Sequence, residues 1–167
     1  ATEIATHLAE AGYTVVSGLA AGIDTAAHTT ALQHRARTIA VIGTGLERAY
    51  PPENAALQEQ IAASGAVISQ FWPDAAPSRR SFPMRNAVMS GLTLGSVVVE
   101  ASRTSGARLQ ARLALAHGRP VFVHKRLVEL EPWAEEFATR PGTHVIDGPT
   151  DITSITERLT SDSALVN

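Results

Sequence analysis

The chain of 167 residues contains no cysteine, which excludes disulfides and zinc–thiolate centres and fits a reducing compartment. No apolar run approaches the roughly 18 residues needed to cross a bilayer. No basic–apolar–small segment opens the chain either. A soluble cytoplasmic protein without a membrane partner is therefore expected. There is no internal repeat and no low-complexity segment. Charged residues are only 18% of the chain against 44% hydrophobic, a globular and not a disordered balance. The length suits one domain with a sizeable core. Catalytic signatures are missing as well. There is no Gly-x-Ser-x-Gly elbow and no P-loop. Gly43-Thr44-Gly45-Leu46-Glu47-Arg48 opens like a dinucleotide fingerprint. It then places Arg48 where the third glycine belongs, and Pro51-Pro52 block an immediate helix, so no nicotinamide, flavin or other cofactor is expected. Asp24 and His28 share a helix face, but two ligands make a poor metal site, and the other histidines have no ligand spacing. No metal is expected.

What the chain does have is segregated charge. From Arg79 to Arg126 there are nine basic residues and one acid, Glu100, a net +8; the remainder holds five basic and fifteen acidic residues, a net −10. Such separation suits a local surface for an anionic partner on an acidic body. It also suits arginines that are solvated on helix faces or paired with acids elsewhere.

Helix-like and strand-like patterns alternate. Helices are expected over residues 1–11, 24–35, 54–64, from Arg85 onward, 106–117, 133–137 and 151–159. Strands are expected at residues 13–17, 38–42, 66–69, 97–100, 120–124 and 143–146. Asp24 and Asn54 read as helix caps, and Gly12, Gly65 and Gly118 as helix stops. Short apolar strands separated by single helices imply βα units and a mostly parallel sheet covered on both faces. The expected fold is a doubly wound, Rossmann-like α/β single domain spanning residues 1–167. Such a unit normally starts with a strand, whereas this chain opens in a helix. Either its first strand is lacking or that strand comes from elsewhere. Ligands in such sheets bind beyond the carboxyl ends of the strands, here loops 17–24, 43–54, 70–85, 101–106 and 124–131.

The unusual clusters fall in those loops. Ser17-Gly18-Leu19-Ala20-Ala21-Gly22-Ile23-Asp24 follows a strand and opens a helix. It reads as an anion site on the glycine side or as an ordinary tight turn. Arg79-Arg80-Ser81-Phe82-Pro83-Met84-Arg85-Asn86 brings guanidiniums, an aromatic ring and an amide together. These groups can hold backbone phosphates and stack an unpaired base; alternatively, Phe82 plugs the core under solvated arginines. Glu100, ending a strand, reads as a general base or, preferably, as a structural carboxylate bonded to backbone N–H groups or paired with Arg85.

Taken in order, these clusters resemble the DprA/Smf family of DNA-processing proteins. The resemblance runs from Val16 to about Val123: Ser17-Gly18-Leu19-Ala20, Gly22-Ile23-Asp24, Ala27-His28, Thr38 to Gly43, Gly45-Leu46, Tyr50-Pro51, Asn54, Phe82-Pro83, Arg85-Asn86, Gly91-Leu92, Val98 to Ala101, Ser105-Gly106, and Gly118-Arg119 before Val121-Phe122. Residues 127–167 match weakly. The resemblance implies a non-enzymatic, dimeric, Rossmann-like protein that binds and protects single-stranded DNA and loads RecA recombinase onto it. Its DNA-binding set falls here on Ser17, Gly18, Gly22, Arg79, Arg80, Phe82, Arg85, Asn86, Ser105 and Gly106. There are departures. Ala21 and Ala87 stand where the family has arginine, and Gln70 replaces an acid. Ala107-Arg108-Leu109-Gln110 replaces a small, hydroxyl-rich run, and His124-Lys125-Arg126 replaces a Pro-Gly turn. Arg108, Lys125 and Arg126 are the candidates to supply the missing basic contacts, and Arg108 joins the expected DNA-binding set. Two other classes stay open: a nucleotide sensor, and a phosphoribohydrolase-like enzyme with Glu100 catalytic. The second lacks that group's Pro-Gly-Gly-x-Gly-Thr loop.

Overall fold

In the computed structural model the described residues are 1–102 and 105–164. They form two compact units, Ala1–Met89 and Ser90–Asn167. The first holds α1 (Thr2–Glu10), β1 (Val15–Ser17), α2 (Ile23–Gln33), β2 (Thr38–Val41), a 3₁₀ turn (Pro52–Asn54), α3 (Ala55–Ser64) and β3 (Ala66–Ile68). Helix α4 (Ser81–Leu92) carries the chain into the second unit. There follow β4 (Ser96–Val98), α5 (Gly106–Ala116), β5 (Val121–His124), α6 (Lys125–Leu130), α7 (Pro132–Ala138), β6 (Thr143–Ile146) and α8 (Pro149–Ala164).

Each unit is built from βα repeats. In the first, β1, β2 and β3 pair in parallel, with Val15 opposite Thr38 and Val41 opposite Ile68. In the second, β4, β5 and β6 do the same, with Val98 opposite Val123 and His124 opposite Ile146. Parallel strands need crossover helices, which cover the sheet faces and favour apolar strands. The class is therefore the expected α/β one, with Rossmann-like units. In the first unit the core packs Leu19, Ala40, Ile42 and Ile61 with Leu32, Leu57 and Val67 around them. In the second, Val98, Ala111, Ala114, Val121, Val123, Leu127, Trp133 and Phe137 form the main cluster.

Three helix ends close alike, whereas α3 stops at Gly65 with φ −143°. After α1, Gly12 takes φ +81° and the Tyr13 N–H donates to the Leu8 carbonyl at 2.9 Å. After α5, Gly118 takes φ +68° and the Arg119 N–H donates to the Ala114 carbonyl at 2.9 Å. Both closures need a left-handed residue, which glycine supplies without a Cβ clash. Helix α2 closes in the same way, but on Arg35 at φ 53°.

Three local expectations are corrected. The two polar residues expected as caps do other work. Asp24 lies inside the first turn of α2, whose N-cap is Gly22. Asn54 makes no side-chain cap bond; its amide donates to the Leu19 carbonyl and to Thr25 Oγ1, both at 2.9 Å. Helix α4 begins at Ser81, four residues before the expected start at Arg85, and runs through Gly91. Residues 125–130, placed in a loop from sequence, form α6, capped by His124 Nδ1 accepting the Arg126 N–H at 3.2 Å. Burial of Leu127 outweighs the loop-like Lys-Arg start.

Candidate nucleic-acid interface

The site in the first unit is organised by the beginning of α4. Ser78 and Ser81 bond reciprocally: Ser78 Oγ accepts the Ser81 N–H at 3.0 Å, and Ser81 Oγ accepts the Ser78 N–H at 3.1 Å. This is the capping-box pattern with serine in both roles. Arg79 and Arg80 occupy the two positions inside that cap and are exposed. Pro83 falls in the first turn, where no backbone N–H is needed. Spacings of three and four residues then put Phe82, Arg85 and Asn86 on adjoining faces of the helix, and Arg85 and Asn86 are buried.

Arg85 is 8% exposed, and its Nη1 donates to the carbonyls of Gly18, beyond β1, and Val41, the last residue of β2, the latter at 2.9 Å. It thus ties together the carboxyl ends of two neighbouring strands. Gly18 permits this approach: a Cβ there would overlap the guanidinium where it stands and force it to shift from its bonds. Burial pushes the Arg85 pKa below its ordinary value, and the Asp24 carboxylate opposes that shift. Asp24 is itself held, accepting from Ser17 Oγ at 2.6 Å and from the Ala20 N–H at 3.0 Å. Ser17, Gly18 and Arg85 are therefore brought together, with Gly22 heading α2 on the same loop. The close approach that Gly18 permits is to Arg85, a role that the loop's own sequence does not disclose.

Phe82 is half-buried. Its ring fills the space left by Gly43, whose Cβ would lie 2.7 Å from Phe82 Cδ1. The Tyr50 ring lies 5.7 Å away and the Arg85 guanidinium 5.9 Å from the ring centre. Phe82 is thus anchored structurally and also keeps solvent access. Tyr50, 47% exposed, belongs to this aromatic group, although in sequence it marked only the resemblance. Position 82 being aromatic and a glycine preceding it on another loop were the available signals, and neither fixes a partner.

His28 is fully buried. Thr38 Oγ1 donates to the Val15 carbonyl at 2.9 Å, so His28 Nδ1, 2.7 Å from that hydroxyl, is the donor to it. Burial pulls the His28 pKa down to about 4, against the opposing charge of Asp24. Asp24 is occupied by its bonds to Ser17 and Ala20, His28 Nε2 is buried without a hydrogen-bond partner, and among the described residues no group of three His, Cys, Asp or Glu could hold a metal ion.

Ser105, Gly106 and Arg108 belong to the second unit. Ser105 caps α5, its Oγ accepting the Ala107 N–H at 3.2 Å, and Gly106 is the first helical residue. The Arg108 guanidinium lies 5.6 Å from the ring centre of buried Trp133, which donates from Nε1 to the Ala101 carbonyl at 3.0 Å. Lys125 and Arg126 are exposed, with Lys125 Nζ 3.9 Å from Asp147 Oδ1. Glu100 is exposed just past β4. Arg103 lies outside the described residues.

Parallel βα units with their loop clusters beyond the strand ends define a Rossmann-like α/β protein. The family model described as DNA recombination-mediator protein A matches residues 1–154. The chain belongs to this DprA/Smf family of DNA-processing proteins. It is 47% identical over 120 residues to Protein Smf of Synechocystis, covering 72% of this chain and 30% of the relative. It is 47% identical over 108 residues to DNA processing protein DprA of Streptococcus pneumoniae, covering 65% of this chain and 38% of the relative. The chain thus spans about a third of these relatives' length. Among solved structures, DNA processing protein A of Helicobacter pylori, described for its single-stranded DNA binding mode, superposes with a TM-score of 0.80 at 28% identity; 96% of this chain and 72% of that one are covered. The Streptococcus pneumoniae protein superposes with a TM-score of 0.77 at 34% identity, covering 92% of this chain and 54% of that one. Among the described residues no helix is long and apolar enough to cross a membrane.

Proposed function

We propose that the chain binds single-stranded DNA and serves as a recombination mediator in DNA uptake and transformation, presenting the strand to RecA recombinase as a cytoplasmic homodimer. The observation that carries this reading is the capped start of α4. Two exposed arginines, Arg79 and Arg80, precede Phe82 by three and two residues, and the Phe82 ring lies 5.7 Å from that of exposed Tyr50. Cations for phosphates next to rings for bases are the chemistry of sequence-tolerant single-strand binding. The Helicobacter pylori relative's single-stranded DNA binding mode supports it. In this reading Arg85 and Asn86 are positioning residues, since Arg85 is spent on the Gly18 and Val41 carbonyls.

The test is fluorescence anisotropy with a labelled single strand and the matching duplex. The single strand is expected to bind more tightly, and Arg79→Ala with Arg80→Ala to weaken it several-fold without changing the thermal midpoint. Equal binding of single strand and duplex, or an undiminished affinity in the double variant, would refute the assigned interface.

A further inference from the structure

We infer that Trp72, in the loop that follows β3, is a second stacking platform for an unpaired base, its backbone seated on the loop after β2 that also accommodates Phe82; the inference rests on the single-strand reading above. Trp72 is 83% exposed. So large an apolar surface is not left in water by any lack of order around it. The Gly45 N–H donates to the Ala75 carbonyl and the Glu47 N–H to the Pro73 carbonyl, both at 2.9 Å. Ser69 Oγ donates to the Thr44 carbonyl at 2.6 Å and accepts the Phe71 N–H at 3.1 Å. The Ala75 N–H closes the turn onto the Trp72 carbonyl at 2.9 Å. The Trp72 backbone is thus fixed from both sides while its indole is offered to solvent.

The occupant follows from the neighbours. Arg48 Nε donates to the Asp74 carbonyl at 2.7 Å, which pins a guanidinium to the turn that carries the indole. Continuing along the chain, the same loop ends at exposed Arg79 and Arg80. Gly43 makes room for the Phe82 ring, and Gly45 makes room for the Trp72 and Pro73 carbonyls. Two residues of chain span at most about 7 Å, so the supports of the two aromatics are adjacent. Rings flanked by guanidiniums recognise the π-faces of bases joined by phosphates. An aromatic side chain on a fixed loop also loses little conformational freedom on binding.

The chain has two tryptophans, and the other, Trp133, is buried, so emission from an exposed indole reports Trp72 alone. Titration of the full chain with oligodeoxythymidylate is expected to quench that emission, and Trp72→Leu to lose the quench and bind about tenfold more weakly. Trp72→Phe should retain most of the affinity. Wild-type binding without quenching, or Trp72→Leu binding as tightly as wild type, would overturn this inference while leaving the single-strand reading intact; the indole would then face a protein partner. If the wild-type chain binds no oligonucleotide at all, the underlying reading fails and this inference with it.

Discussion

Arg85 shows how one residue type can be misjudged from its neighbours in sequence. It sits among arginines that face solvent, yet it is buried and bonded to two backbone carbonyls at the strand ends. Removing it would leave those carbonyls unsatisfied, at a cost of roughly 1–3 kcal/mol, so Arg85→Ala reports on stability before it reports on DNA. Gly18→Ala should do the same from the other side, because its Cβ would overlap the guanidinium. Overpacking of this kind costs about 1–3 kcal/mol, measurable as a lower urea midpoint. His28 makes a prediction with pH. Its folded pKa is about 4 against an ordinary 6.5, so the unfolded chain takes up the proton first. The stability due to neutral His28 is complete above pH 6.5 and falls as pH drops towards 4, by roughly 3 kcal/mol in all. His144, also shifted down by burial and by Arg158, acts in the same direction. Urea midpoints between pH 7.5 and 4.5 should therefore decline in the wild type and decline less in His28→Gln.

At the scale of elements, the strands were the most legible part. The run at Thr143–Ile146 is a strand at those bounds, and those at Thr38 and Ala66 start where expected. Thr38–Val41 is legible because its apolar run is largely buried, whereas Thr143–Ile146 is read from its β-branched residues despite His144 and the exposed Val145. The starts of α4 and α6 were not legible, for a shared reason. Each is set by a side chain turning back onto the backbone, Ser78 with Ser81 and His124 with Arg126, amid proline- or arginine-rich sequence that reads as loop. The candidate site was legible as a set of residues and not as roles. Sequence put Ser17, Gly18, Phe82 and Arg85 together but could not separate the arginine that binds backbone from the two that face water. The cap makes this separation testable. Ser78→Ala should cost about 1 kcal/mol of stability. It should also weaken single-strand binding, because Arg79 and Arg80 are held inside that cap. A stability loss with unchanged DNA affinity would show that the cap does not orient them.

For the whole molecule, the decisive quantity is the arrangement of charge and not its sum. The chain carries −2 overall, which would repel a polyanion if spread evenly. Binding must therefore come from local cations that displace counterions from phosphates, and that makes affinity salt-dependent. Each single-strand phosphate neutralised contributes about 0.7 to the slope of log affinity against log salt. If Arg79 and Arg80 each meet one phosphate, their double alanine variant should flatten the slope by about 1.4. Trp72→Leu and Phe82→Ala should lower affinity at every salt concentration and leave the slope unchanged, since stacking releases no counterions. Oligodeoxythymidylate binding measured across a salt series in these variants separates the two contributions. A wild-type affinity indifferent to salt would mean that the charge segregation serves another purpose. A flattened slope in the tryptophan variant would mean that the loss acts by displacing the arginines.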